Sequence, residues 1–421
     1  MSVPTGNSDG GLGSLGDGGV FNAPGDMGTV MHAPPGTLTG VTTLGAGTDF
    51  RDVSTDEGHG VWATTSSTVY YFHGGATSTY TQAQGLAQGH TTWTTDYWCG
   101  PGNGPPCPAT YNVSFTSVAG GVPGQVLVGN LGYSVDRLDV DPTTGAVRDV
   151  VGVQVTSTQC PTSSCNTDGS ELPAQQQREV ASWKVTLDLN GTLGGTAYFG
   201  GWHGTSALHG LTSSRTSGVC GQGCADYEEH AHGFFNGNTD TAGRDVRALV
   251  VTPEGDLWMG DADVISFLPQ RSAGANADFF QPVSIPGQPN AQTLDVFPGV
   301  VDNTFGMAVD KAHGLYIASY GNGLAYLTAN SYTPTYWSAA DKLPQNYLTS
   351  VIVDGDGDVW IGTDSAGVVR YQPSSQTWVY YTTASGLPSN NIRAIYLDKY
   401  AASGRGVYFA TANGIGVYTG P

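Results

Sequence analysis

The sequence predicts an all-β chain, a seven-bladed β-propeller of four-stranded antiparallel blades. A four-strand pattern recurs seven times along 421 residues, which is the main sign. The late copies follow one another at a period of about 45 residues, as a bare four-stranded blade requires. The composition agrees: 62 Gly and 23 Pro, few charged residues and many Tyr, Trp, Thr, Ser and Val suit short strands and tight turns. No helical stripe exceeds about three turns.

The repeat is clearest at 348–390, "LTSVIVDGDGDVWIGTDSAGVVRYQPSSQTWVYYTTASGLPSN". An alternating strand runs into a "DGDGD" turn, and "VWIGT", "GVVRY" and "TWVYYTT" follow as second, third and fourth strands. One such meander cannot bury both faces and needs neighbours of its own kind. Copies begin near 50, 115, 185, 246, 305 and 392. Each second strand opens on a large side chain: Trp62, Leu127, Tyr198, Trp258, Tyr316, Trp360 and Tyr408. The last copy ends at "GVYTGP" without its outer strand. The stretch "GTVMHAPPGTLTG", 28–40, resembles the end of the 348–390 unit. Residues near 28–33 are therefore expected to complete the last blade and close the ring. This divides the chain into a Gly/Ser/Asp-rich linker, 1–27, and one propeller, 28–421.

At "DGDVWIGT", "GVVRY" and "YYTTASGLPSNNI" the chain resembles the two-component regulator propeller repeat of periplasmic sensors and secreted bacterial proteins. Blades five to seven match best, blades one and four in part, and blades two and three in outline. The resemblance implies an extracytoplasmic propeller that senses or binds a ligand. It does not select a function, because the fold hosts many. Neither a kinase nor a second propeller is read here, so a complete sensor is not expected in this chain.

Fifteen Lys and Arg against 35 Asp and Glu give a net charge of −20. This excludes nucleic acid, anionic membrane surfaces and polyanions as partners. No apolar run reaches the ~18 residues of a membrane span, so membrane insertion is not expected. The cysteines form three close pairs, Cys99 with Cys107, Cys160 with Cys165 and Cys220 with Cys224. They read as short disulfide staples from an oxidising, extracytoplasmic compartment. The linker character of the first residues suggests that a targeting segment has been removed.

The early blades carry extra residues at 87–112, 148–180 and 212–243. Each insertion holds one cysteine pair and falls between the outer strand of one blade and the inner strand of the next. All therefore emerge on one face, and one-sided insertions mark a working face. The opposite face keeps short turns such as "DEGHG" and "PEGD".

Two candidate sites follow. The third insertion, with "VCGQGCADYEEHAHGFF", offers Glu229, His230 and His232, which His203 of "GGWHGT" would join from a neighbouring loop. They would be the catalytic groups and, for the three histidines, the metal ligands of a metal-assisted lyase or hydrolase. The alternative is a polar loop with Cys220 and Cys224 as a staple. An H-x-H spacing is unusual for zinc, and four lysines are few for neutralising an acidic substrate. The second candidate is the channel mouth. Arg51, Arg247 and Arg393 share one repeat position near the start of the inner strand, with Asp245, Asn346 and Asn391 beside them. This ring would bind a polar ligand, or it would be an inter-blade ion-pair network. Trp98 and Trp202 would stack on sugars or cap small cores. "DGDGD" begins like a calcium loop but lacks its bidentate Glu and sits where every blade turns.

The leading functional expectation is a secreted or surface-attached binding module. It would recognise a glycan, peptide or protein partner through the inserted face, with no cofactor required. The metal-assisted enzyme, using zinc, manganese or calcium, is the first alternative. A structural subunit that self-associates in an extracellular assembly is the second.

Overall fold

The computed structural model describes residues 36–38, 41–87, 113–131, 135–153, 182–188, 196–201, 204–209, 227–228, 246–262, 264–268, 293–300, 302–329, 333–401 and 406–420. Among these there is no α-helix, and the strands form seven four-stranded antiparallel sheets. Strand β1 (Thr42–Leu44) precedes the first sheet, which holds β2 (Asp52–Thr55), β3 (Val61–Thr64), β4 (Val69–His73) and β5 (Ala76–Tyr80). The second holds β6 (Phe115–Gly120), β7 (Gln125–Asn130), β8 (Val135–Val140) and β9 (Val147–Val153). The third holds β10 (Ser182–Asp188), β11 (Thr196–Gly201), β12 (Gly204–His209) and β13 (Tyr227–Glu228). The fourth holds β14 (Ala248–Val251), β15 (Leu257–Gly260), β16 (Ile265–Leu268) and β17 (Thr293–Leu294). The fifth holds β18 (Thr304–Val309), β19 (Leu315–Ser319), β20 (Gly323–Leu327) and β21 (Pro334–Trp337). The sixth holds β22 (Leu348–Val353), β23 (Val359–Thr363), β24 (Val368–Gln372) and β25 (Thr377–Tyr381). The seventh holds β26 (Ile392–Leu397), β27 (Val407–Thr411) and β28 (Gly414–Tyr418), and β1 pairs with β28 as its fourth strand.

Within each sheet the strands pair in chain order, and the first strand of each lies against the first strand of the next, with β26 against β2. The large side chain that opens each second strand is buried in every case, from Trp62 at 0% exposure to Tyr408 at 8%. These side chains and their neighbours fill the spaces between sheets: Trp360 packs with Leu387, Ile392 and Phe409, and Trp258 with Ile317 and Leu327 of the next sheet.

The turn ahead of the second strand has a physical cause that the first, fifth and sixth sheets share. Asp354 Oδ1 accepts the amides of Asp356 and Asp358, and its Oδ2 accepts the indole N–H of Trp360 at 2.8 Å. Asp56 does the same for Gly58, Gly60 and Trp62, and also takes the Tyr71 hydroxyl. Asp310 serves Ala312, Gly314 and the Tyr326 hydroxyl. One carboxylate thus closes the turn and satisfies a buried aromatic donor. Asp354, the first carboxylate of "DGDGD", is committed to this task.

Three boundaries differ from the sequence expectations. The fourth strand of the seventh sheet is Thr42–Leu44, paired to Ile415–Val417, so 28–33 does not fill that place. The resemblance of 28–40 to the end of the 348–390 unit places the strand about ten residues too early, because Gly36 and Leu38 instead donate to Tyr380 O and Ser385 O at the end of the sixth sheet. The second insertion loses its first residues to β9, and Tyr227–Glu228 of the third insertion pairs with Ala207–Leu208 as β13. The fourth sheet holds a connection not anticipated, 269–292, between β16 and β17.

Candidate functional site

The first strands of all seven sheets line one cavity of about 1170 Å³. The cavity's character is set by a backbone irregularity repeated around it. In β6, β10, β18, β22 and β26 the register slips by one residue near the start, between Phe115 and Ser117, Ser182 and Lys184, Thr304 and Gly306, Leu348 and Ser350, and Ile392 and Ala394. The residues left out of the pairing are Thr116, Trp183, Phe305, Thr349 and Arg393. Arg51 and Arg247 hold the same place just ahead of β2 and β14, where their amides donate to Thr64 O and Gly260 O. A bulge re-aims the side chain it frees. All seven of these side chains line the cavity.

The residue opposite the bulge must be small. A Cβ on Gly362 would stand 2.5 Å from Ser350 Oγ and 3.0 Å from Thr349 Oγ1, and one on Gly129 would stand 2.9 Å from Thr116 Oγ1. This explains the Gly or Ala that recurs two residues after the aromatic in most copies.

The resulting collar joins cations to aromatic faces. The Arg247 guanidinium lies 5.3 Å from the Trp183 ring and 5.2 Å from the Phe305 ring, a cation between two π faces. Arg393 makes a two-pronged ion pair with Asp49, both contacts at 3.2 Å. Arg51 donates to Ser114 Oγ and Phe115 O. One step inside the collar, Lys184 pairs with Asp52 at 2.8 Å, bridging the third sheet to the first. Burial pushes the Asp364 carboxyl above the usual carboxylate range against the pull of Arg393, and pushes the Tyr320 phenol up to about 12. The Trp183 indole N–H, Thr349 Oγ1 and Ser350 Oγ are buried atoms with no hydrogen-bond partner in the protein. Below the collar the wall is apolar, with Val118, Val185, Val351 and Ile395 among its members.

The far end is crossed by the turn after β26. Lys399 Nζ donates to Leu187 O on the third sheet at 3.1 Å, and the Tyr400 hydroxyl reaches Gly120 O on the second at 3.5 Å. The collar thus lies at one end of this cup and the turn after β26 at the other. Among the described residues, five basic ones line it (Arg51, Lys184, Arg247, Arg393, Lys399) against four acidic ones (Asp49, Asp52, Glu57, Asp364). The chain as a whole has 15 against 35, so the cup reverses the charge balance around it.

The structure brings Arg51, Arg247 and Arg393 together, as their shared repeat position implies. Asn346 and Asn391 stand apart from the wall. The Asn346 carbonyl holds the Gly321 and Gly323 amides, and the Asn391 carbonyl holds the Ala412 amide. His203, Glu229, His230, His232, Asp245, Trp98, Trp202 and all six cysteines lie outside the described residues. Among the described residues no cluster of three His, Cys, Asp or Glu side chains forms a metal site. No described helix is long and apolar enough to cross a membrane. Thr116, Phe305 and Thr349 escaped the sequence reading although they stand eleven residues before Leu127, Tyr316 and Trp360, as Arg51 does before Trp62. Trp183 lacks even that signal, because the turn in its sheet is longer.

Residues 342–365 match the model of the two-component regulator propeller. No curated protein matches the chain in sequence. Among solved structures, the extracellular domain of a putative hybrid two-component system from B. thetaiotaomicron is similar over 92% of this chain at 14% identity and a TM-score of 0.53. The chain spans only 42% of that molecule. YCF48 bound to a D1 peptide is similar over 92% of this chain and 98% of its own, at 13% identity and a TM-score of 0.52. Virginiamycin B lyase from Staphylococcus aureus covers 90% and 97%, at 12% identity and a TM-score of 0.52. These likenesses establish the fold, and the chain is a β-propeller that carries the two-component regulator propeller repeat.

Proposed function

We propose that the chain is an extracytoplasmic binding module, a closed seven-bladed propeller that takes a peptide or protein partner at the collar of its central cup. The observation that carries this reading is the convergence of one bulge residue from each sheet on a single rim. Three of the seven are arginines and two are aromatic. Arginine and tryptophan are the side chains that dominate binding energy at interfaces. The connections with the cysteine-bearing insertions deliver the chain to the starts of β6, β10 and β14, so the inserted face and the collar are the same face. The peptide-bound state of the similar YCF48 structure supports a peptide in preference to a glycan. The reading requires no metal or cofactor.

The test is a selection of peptides from a displayed library on the purified chain, repeated on an Arg51→Ala/Phe305→Ala variant of unchanged melting temperature. Peptides selected on the parent are expected to lose at least about tenfold in affinity on the variant, the equivalent of ~1.4 kcal/mol. Peptides that bind the two equally would place the binding surface elsewhere and refute the reading.

A further inference from the structure

The wall of the cavity beneath the collar has a chemistry of its own, which goes beyond the peptide reading and does not rest on it. The cations of that wall are already engaged. Lys184 pairs with Asp52, Arg393 pairs with Asp49, and Arg51 donates to Ser114 Oγ and Phe115 O. Arg247 lies between the Trp183 and Phe305 rings, and Lys399 donates to Leu187 O. Asp49 and Asp52 complete two of these pairs, burial pushes Asp364 toward its neutral form, and Glu57 stands exposed. A charged ligand would have to break one of these pairs to gain another, and would lose its own hydration on entry.

The rest of the wall divides by sheet. Val250, Val251, Val309, Ile352, Val353 and Leu397, on sheets four to seven, are only partly buried. Each packs on a core between sheets and also borders the cavity. Asp52, Ser54, Lys184 and Thr186, on the first and third sheets, bring polar groups to the same cavity. Its volume of about 1170 Å³ is close to that of small-molecule sites, ~300–1,000 Å³, and too small for a folded partner. Water alone would leave the aliphatic side wetted, and a lipophilic guest would remove it from water. A hydroxyl or carbonyl on that guest could share the Lys184–Asp52 pair without breaking it, because an ammonium carries three donors.

We infer that the cavity holds an uncharged lipophilic small molecule, a lipid-like alcohol or ketone. Its apolar body lies against sheets four to seven, and its oxygen faces Lys184, Asp52 and Thr186.

The probe is N-phenyl-1-naphthylamine, uncharged and fluorescent in apolar surroundings, titrated into the whole chain. It is expected to saturate at one site per chain. 1-Decanol is expected to displace it at a concentration at least about tenfold below that of decanoate at pH 8, because a carboxylate meets cations that are already paired. Ile352→Gln is expected to weaken the probe at least about tenfold, since it puts an amide into the aliphatic side of the wall. Val300→Gln, at a residue 57% exposed and away from the cavity wall, is expected to leave the probe unaffected. Should Ile352→Gln lower the melting temperature, the near-isosteric Val251→Thr/Val353→Thr variant serves, with loss of affinity again expected. Absence of saturable binding overturns the inference. A probe that binds the cavity variant as tightly as the parent, or that weakens equally with Val300→Gln, also overturns it and places the apolar site elsewhere. Decanoate that displaces the probe as well as 1-decanol overturns the uncharged class of ligand.

Discussion

Asp136 ties the stability of the chain to pH. Its carboxyl is fully buried at 1% exposure on β8. Oδ2 accepts the Ala87 amide at 2.9 Å, at the root of the first insertion, and Oδ1 has no partner in the protein. Burial raises its pKa from 3.8 to about 7, opposed only by the Ala87 hydrogen bond. The unfolded chain releases this proton near pH 4 and the folded chain near pH 7. Between those values the folded state binds more protons, so its stability falls as pH rises. A shift of about three units corresponds to ~4 kcal/mol, fully present below pH 4 and lost above pH 7. Asp302, raised by burial to about 7, adds a slope of the same sign. Asp136→Asn keeps the acceptor for Ala87 and removes the charge, but leaves an amide N–H unpaired at a cost of ~1–3 kcal/mol. The variant should therefore be more stable than the parent by ~1–3 kcal/mol at pH 8, with the difference shrinking toward pH 4, where the parent's own carboxyl O–H on Oδ1 is likewise unpaired. Urea unfolding followed by tryptophan fluorescence across that range reads the change. Parallel stability–pH curves for parent and variant would refute the reasoning.

Four further outcomes are expected. Asp354→Ala strips two turn amides and the Trp360 indole of their acceptor and should cost ~2–4 kcal/mol, with Asp354→Asn intermediate. Calcium should leave the melting temperature of the parent unchanged, because that carboxylate is already used. A calcium-dependent rise would revive the cation reading of "DGDGD". Non-reducing peptide mapping should return the linkages Cys99–Cys107, Cys160–Cys165 and Cys220–Cys224. Elemental analysis should find no stoichiometric zinc or manganese, whereas metal lost on His230→Ala would establish a centre at His203, His230 and His232.

Much of the fold is legible because a few local rules recur. An Asp six residues before an aromatic marks the turn in the first, fifth and sixth sheets, and a large buried side chain marks the second strand in all seven. The fourth strands are less legible. In the third and fourth sheets they are two residues long, too short to show an alternating pattern. The candidate site was half legible. Three arginines share a repeat position and so stand out. Thr116, Trp183, Phe305 and Thr349 share the position without sharing any chemistry, and no compositional signal unites them.

The sequence by itself determined the repeat, its turn chemistry, the buried aromatic of each sheet and the presence of Arg51, Arg247 and Arg393 at one place in the unit. Tertiary structure decided that these become a collar. A bulge is a property of pairing between two strands, visible only when Ser350 is found opposite Gly362 and Thr349 is left over. The crossing of the cavity's far end is likewise a property of distant contacts, since Lys399 reaches Leu187 and Tyr400 reaches Gly120 across 212 and 280 residues of chain. Local sequence specifies each strand and turn through short-range hydrogen bonds and burial. It carries no record of which side chains seven separate strands will aim at one point, because that depends on how the sheets are arranged around the cavity.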